Sequence, residues 1–194
     1  MDIIIKNLCK SFGEKQVLKD VNAVIKEKRT TCLMGQSGVG KTTLLNIMMG
    51  LEKADSGVIE NLPKLKSAVF QENRLCESFS VITNIKMANG SLSDDTIMEH
   101  LKAVGLENEA KSKVSTLSGG MKRRVALVRA ILALKDVLFL DEPFKGLDEE
   151  TLAAVQNYLY QNTKGLTVVM VTHQAEDAKA LGAEILYLKN GTVE

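Results

Sequence analysis

Gly35-Gln36-Ser37-Gly38-Val39-Gly40-Lys41-Thr42 keeps the spacing G-x-x-x-x-G-K-[ST], with Thr43 directly after it. A β-prone run, Thr30 to Met34, precedes this stretch, and a helix-patterned run, Lys41 to Met49, follows it. Glycines at these positions let the backbone curl until successive amide N–H groups face inward, and the helix start adds partial positive charge. That is a cradle for phosphate oxygens. Lys41 would place a point charge on β- and γ-phosphates, and the Thr42 hydroxyl could ligate Mg²⁺. A glycine-rich turn can match the spacing by chance, but the strand–loop–helix context favours a nucleoside triphosphate site.

A second chemical element ends the apolar run Val137-Leu138-Phe139-Leu140, where Asp141-Glu142 is followed by Pro143. Carboxylates at the C-terminal end of a buried parallel strand lie where such sheets bind ligands. Asp141 is placed to hold Mg²⁺ through water, and Glu142 to accept a proton from the water attacking a γ-phosphate. An acidic pair capping the next helix is the alternative, and the sharp exit at Pro143 argues against it. A third element is Leu117-Ser118-Gly119-Gly120-Met121, at the head of a long helical run. Its free N–H groups would make a second anion site, although an ordinary helix cap has the same spacing. Lys122, Arg123, Arg124 and Arg129 read as a solvated basic face rather than a nucleic-acid patch.

The elements that must position these groups alternate. Ile3 to Ile5, Val17-Leu18 and Val21 to Ile25 are β-rich, with a turn at Phe12-Gly13-Glu14. Ala54 to Gly57 reads as a turn and Ala68 to Phe70 as a strand. Residues 78 to 115 look mainly helical, with Ser93 as an N-cap, and a longer helix runs from Gly120 to about Ala133. Beyond the apolar strand come a helix over Glu149 to Asn162, a strand over Leu166 to Val171, a short helix to Leu181 and a strand over Ile185 to Leu188. Asn190-Gly191 suits a tight hairpin. This is an α/β fold: a phosphate-loop NTPase core with a largely parallel sheet, an N-terminal antiparallel β subdomain and a short helical subdomain.

Composition agrees. The 194 residues suit one domain, 45% are hydrophobic and 25% charged, which excludes a disordered or collagen-like chain. With 25 Lys+Arg against 24 Asp+Glu, the net charge of +1 advertises neither nucleic acid nor an anionic membrane. Cys9, Cys32 and Cys76 are scattered, which argues against a disulfide framework or zinc site and fits a reducing cytosol. No run approaches the roughly 20 apolar residues of a membrane helix, and the N-terminus does not read as a signal peptide.

Taken together, and in this order, the motifs resemble the nucleotide-binding subunit of an ABC transporter over essentially the whole chain, 1–194, with residues of about 72–133 as the helical subdomain. The strings around Gln71, Phe79 and Asp141 resemble the bacterial import type, closest to the nitrate, sulfonate and taurine group. The resemblance implies ATP and Mg²⁺ as ligands and a head-to-tail pair of subunits. ATP on the phosphate loop of one would be capped by Ser118, Gly119 and Gly120 of the other. It further implies that Gln71 contacts Mg²⁺ and the attacking water, that His173 touches the γ-phosphate, and that Asp148 links the two sites across the interface. Phe12 falls where the family stacks an aromatic ring on adenine. The resemblance also implies a cytoplasmic subunit, peripheral on the cytoplasmic face of the cell membrane, with separate transmembrane permease subunits as partners and no nucleic acid involved. Met121 departs from the usual glutamine or glutamate, with little expected effect on catalysis. Two rival readings are a soluble family member acting on DNA, ribosomes or protein complexes, and a module that binds ATP only to dimerise. The balanced charge counts against the first, and intact Lys41, Asp141, Glu142 and His173 against the second. Leu75, Phe79 and Val81 divide evenly between core and a membrane-subunit interface.

Overall fold

A computed structural model describes all residues from Met1 to Glu194. Strands β1 (Ile3–Phe12) and β2 (Lys15–Ile25) form a long antiparallel hairpin that closes between Phe12 and Lys15. Ile3, Ile5 and Leu8 of β1 and Leu18, Val21 and Ile25 of β2 are buried on its inner side. Strand β4 (Ser56–Glu60) pairs with the other edge of β1, giving the order β2-β1-β4. The sequence reading placed a turn through Gly57, whereas the strand already begins at Ser56. The reason is that β4 is an edge strand with three exposed residues in five, so it carries little hydrophobic alternation. Gly57 sits where β1 crosses closely: a Cβ there would fall 2.5 Å from the Asn7 carbonyl oxygen.

The second sheet has the order β5-β6-β7-β3-β8-β9. Its members are β3 (Thr30–Met34), β5 (Lys66–Val69), β6 (Val137–Asp141), β7 (Thr167–Val171), β8 (Glu184–Lys189) and β9 (Thr192–Val193). All neighbours are parallel except β8 and β9, which form the expected hairpin at Asn190-Gly191. Every residue of β6 and β7 is buried, as their unbroken apolar character requires. Side chains alternate across this wall. Leu138, Leu140, Val168 and Met170 enter one core with the helical layer, while Val137, Phe139, Val169 and Val171 enter the other with the hairpin and α1 (Lys41–Met49). Truncating the fully buried Phe139 to alanine would cost about 3–5 kcal/mol.

Residues 78 to 115 are less regular than their composition suggests. They hold α2 (Val81–Lys86), α3 (Asp94–Ala103) and single 3₁₀ turns at Glu107–Glu109 and Val114–Thr116. Ser93 caps α3 as expected, its hydroxyl accepting from the Thr96 amide at 3.1 Å. Helix α4 (Gly119–Leu132) begins one residue earlier than expected, and α5 (Glu149–Asn162) and α6 (Ala175–Ala180) complete the chain. Val81 is fully buried and Leu75 packs against the core, while Phe79 keeps 46% of its surface exposed.

Candidate active site

The strand order explains how distant residues meet. β5, β6, β7 and β3 are parallel neighbours, so the loops leaving their C-terminal ends lie side by side. Those loops carry Gln71, the Asp141-Glu142 pair, His173 and the stretch from Gly35 to Gly40. A cavity of about 670 Å³ opens there, lined by Phe12, Ser37, Gly38, Gly40, Lys41, Thr42, Thr43, Gln71, Asp141, Glu142 and His173.

The phosphate-loop stretch is held by close packing against neighbouring strands. Gly35 has φ 148°, and a Cβ there would lie 2.2 Å from the Leu188 carbonyl oxygen in β8. Gly40 caps α1 in the left-handed region and offers no side-chain bond to its first amides. Lys41 is only 5% exposed, and its Nζ donates to the carbonyls of Gly35 and Gln36 at 2.8 and 2.9 Å. Burial pulls its pKa below the ordinary 10.5, against the opposing pull of Glu142 and Asp141. Gln36 and Val39 belong to the same loop without lining the main cavity; they line a shallower hollow beside β2.

Asp141 ends β6 and is 5% exposed. Burial raises its pKa, offset by the nearby Thr42 hydroxyl and by the charges of Arg123 and Lys41. Glu142 still donates its amide to the Val171 carbonyl at 2.8 Å, yet its φ is 49°. A side chain in that left-handed region costs about 1–3 kcal/mol, and such strain clusters at functional sites. Its Oε1 is buried without a hydrogen-bond partner and lies 3.2 Å from His173 Nε2, a distance for an ion pair but without hydrogen-bond geometry. Burial raises the Glu142 pKa, His173 pulls it down, and Asp141 adds to the rise.

The loop carrying His173 is fixed by a group that sequence reading did not single out. Asp177, 4% exposed, accepts from the Thr172 hydroxyl at 2.9 Å and the Gln156 amide at 3.1 Å, and it lines the cavity. In sequence it looks like any acidic residue in the first turn of a helix. At the other end, Phe12 is 49% exposed and Lys10 Nζ stands 5.0 Å from its ring centroid. Lys10 is in turn paired with Glu52 at 2.8 Å.

Ser118, Gly119, Gly120 and Asp148 do not line this cavity. Ser118 caps α4, its hydroxyl accepting from the Met121 amide at 3.2 Å, and both Ser118 and Gly119 are exposed. Asp148 caps α5, accepting from the Thr151 amide and hydroxyl at 2.9 Å each, which lowers its pKa. Within one chain both motifs are therefore helix caps on an open surface.

The solvated basic face expected on α4 is corrected at Arg123, which is 2% exposed. Its guanidinium meets the backbone carbonyls of Phe70, Asp141, Glu142 and Pro143 and the Asn73 side chain. Arg129 likewise turns inward to the carbonyls of Asn73 and Arg74. Three basic residues in a row conceal which one meets a ring of carbonyls, because those carbonyls come from remote loops.

Comparison with known proteins agrees with this geometry. The family model described as ABC transporter matches residues 18–145. An aliphatic sulfonates import ATP-binding protein of Paracoccus denitrificans is 35% identical, over 98% of this chain and 81% of the relative. One from Pseudomonas syringae pv. tomato is 34% identical over 98% of this chain and 74% of its own length. A dimeric bacterial ABC transporter cassette superposes with a TM-score of 0.86 at 32% identity, over 99% of this chain and 96% of the other. The same kind of cassette, captured after hydrolysis with ADP and Pi, gives 0.85 at 32% identity over the same shares of the two chains.

Proposed function

The chain belongs to the ABC transporter family, as an ATP-binding subunit that hydrolyses ATP to drive transport, and we propose that two copies of it share composite sites. In each site ATP would lie on the phosphate loop of one copy, from Gly35 to Thr43, with its adenine against Phe12. Ser118, Gly119 and Gly120 of the second copy would close over the triphosphate, and Asp148 would reach across the interface. The exposure of Ser118 and Gly119, which do not line the cleft of their own chain, supports this reading.

Within the cleft, Lys41 binds the β- and γ-phosphates and His173 the γ-phosphate. Glu142 takes the proton from the attacking water, oriented with Gln71. The observation that carries this assignment is the largely buried Glu142 carboxylate on the cavity wall, one oxygen of which makes no hydrogen bond and faces His173 Nε2 at 3.2 Å. A carboxylate on that wall, beside the lysine and the phosphate loop, is placed to take a proton from a water in the cleft. The cleft also fits Mg²⁺. Thr42, Asp141 and Gln71 offer oxygen donors with a single carboxylate. A hard ion that leans on substrate phosphates and retains waters matches that set. Bound there, Mg²⁺ would neutralise charge on the β- and γ-phosphates.

The import ATP-binding relatives at 34–35% identity support an import system in which this subunit sits at the cytoplasmic face of the membrane, against separate transmembrane permease subunits. Sedimentation of purified Glu142→Gln protein with and without ATP tests the composite site, and its ATP turnover tests the base. The expected results are an ATP-dependent shift from monomer to dimer and a hydrolysis rate lower by about 10²–10⁴-fold. Near-normal turnover in that variant would rule out Glu142 as the base. ATP binding without dimerisation would rule out self-pairing by this subunit alone.

A further inference from the structure

Arg123 uses all five of its N–H donors, and it uses them on the two loops that carry Glu142 and Gln71. Nε donates to the Pro143 carbonyl at 3.0 Å. One terminal nitrogen donates to the carbonyls of Asp141, at 2.6 Å, and Glu142. The other donates to the Phe70 carbonyl and to Asn73 Oδ1 at 3.3 Å. A guanidinium has five N–H groups, so none is left over.

Three of these acceptors are consecutive carbonyls, from Asp141 to Pro143. Consecutive carbonyls in a strand point to opposite sides, so their convergence on one group requires the chain to turn at Glu142. That is where φ reaches 49°. The guanidinium collects the carbonyls that the turn brings together, and it therefore holds the left-handed conformation in place. The same group grips Phe70, the residue immediately before Gln71, through its carbonyl. Its carrier is helix α4, which starts at Gly119 behind the cap Ser118.

We propose that Arg123 is a positioning residue for hydrolysis: it fixes the backbone of Glu142, and with it the carboxylate, against the Gln71 loop and helix α4. Arg123 is 2% exposed and does not line the cavity, so it acts through the backbone it holds. The inference rests on Glu142 being the base. Lysine can supply three donors and glutamine two, so neither reproduces the five-point fork. Displacing a reacting group by about 1 Å can cost about 10²-fold in rate.

The test uses the full chain and five proteins: wild type, Glu142→Gln, Arg123→Lys, Arg123→Gln and the double variant Arg123→Gln/Glu142→Gln. Single-turnover hydrolysis and ATP affinity are measured on each. Arg123→Lys and Arg123→Gln are expected to slow hydrolysis by about 10–100-fold while ATP affinity stays within about threefold. The double variant is expected to be no slower than Glu142→Gln alone, because the arginine acts only through that carboxylate. Arg123→Lys retains the charge and carries the test if the glutamine variant does not fold. Hydrolysis within about twofold of wild type in the folded variants overturns the proposal, as does a parallel loss of affinity or an additive loss in the double variant. If Glu142→Gln itself hydrolyses ATP normally, the base assignment fails and this proposal with it. An inactive Glu142→Gln beside active Arg123 variants defeats this proposal alone.

Discussion

Glu142 Oε1 and His173 Nε2 stand 3.2 Å apart at the ends of adjacent parallel strands, with the carboxylate largely buried and the imidazole half exposed. The pair is asymmetric in its surroundings. Glu142 bears the desolvation and the backbone strain, and His173 offers the nearby partial relief. Such an arrangement costs stability in order to hold a charge on the cavity wall.

Glu142→Gln should therefore melt at a higher temperature than wild type at neutral pH, although it loses turnover. The amide carries no charge to desolvate and can donate a hydrogen bond. Each kcal/mol relieved raises Tm by about 2–4 °C in a domain of this size. Thermal melts of the two proteins without nucleotide, side by side, check the sign; a lower Tm for the variant would contradict it.

The pH dependence follows from the same carboxylates. Asp141 and Glu142 have folded pKa values raised above their ordinary 3.8 and 4.5, chiefly by burial. A raised folded value means the fold binds protons first as pH falls. The stabilising contribution of these two groups is full below the ordinary values and is lost as pH rises through the raised ones. Asp148, Glu27 and Asp2 are shifted downward and contribute in the opposite sense. The acid limb of kcat/KM, which reports the free enzyme, is expected above pH 4.5, with the fold still intact by circular dichroism. Activity retained down to the ordinary glutamate value would refute this.

Asp148→Ala removes the cap of α5 and should cost about 0.5–2 kcal/mol. Asp148→Asn keeps an acceptor for the Thr151 amide and should restore most of that loss. ATP-dependent dimerisation separates the two duties of this residue. If it is weakened in Asp148→Asn while Tm is kept, the carboxylate acts across the interface as well as on its own helix.

Gly35→Ala should destabilise the chain before any ATP is added. The new methyl carbon would fall 2.2 Å from the Leu188 carbonyl, so β3 and β8 must shift apart. Overpacking of this kind costs about 1–3 kcal/mol. Denaturant titration of the variant without nucleotide reads that loss; unchanged stability would mean the strands give way freely.

What could be read from sequence was what lies close along the chain. The cradle from Gly35 to Thr42 is one stretch, and its glycines, lysine and threonine announce their chemistry by type and spacing. The unbroken apolar runs of β6 and β7 announced a parallel sheet buried on both faces. β4 escaped because an exposed edge strand need not alternate. Arg123 and Asp177 escaped for a different reason: their partners are backbone carbonyls and remote side chains, which leave no mark on the local pattern. For Ser118 to Gly120 the local pattern left an anion site and a helix cap both open, and within one chain the structure shows the cap.

The alternation of β6 and β7 between two cores bears on how the molecule comes apart. Leu138 and Leu140 face the helices, while Val137 and Phe139 face the hairpin, on one five-residue strand. Neither layer can peel away without baring one side of that strand to water. Both layers therefore share a single cooperative denaturation, and amides in β6 exchange with solvent only when the whole chain opens.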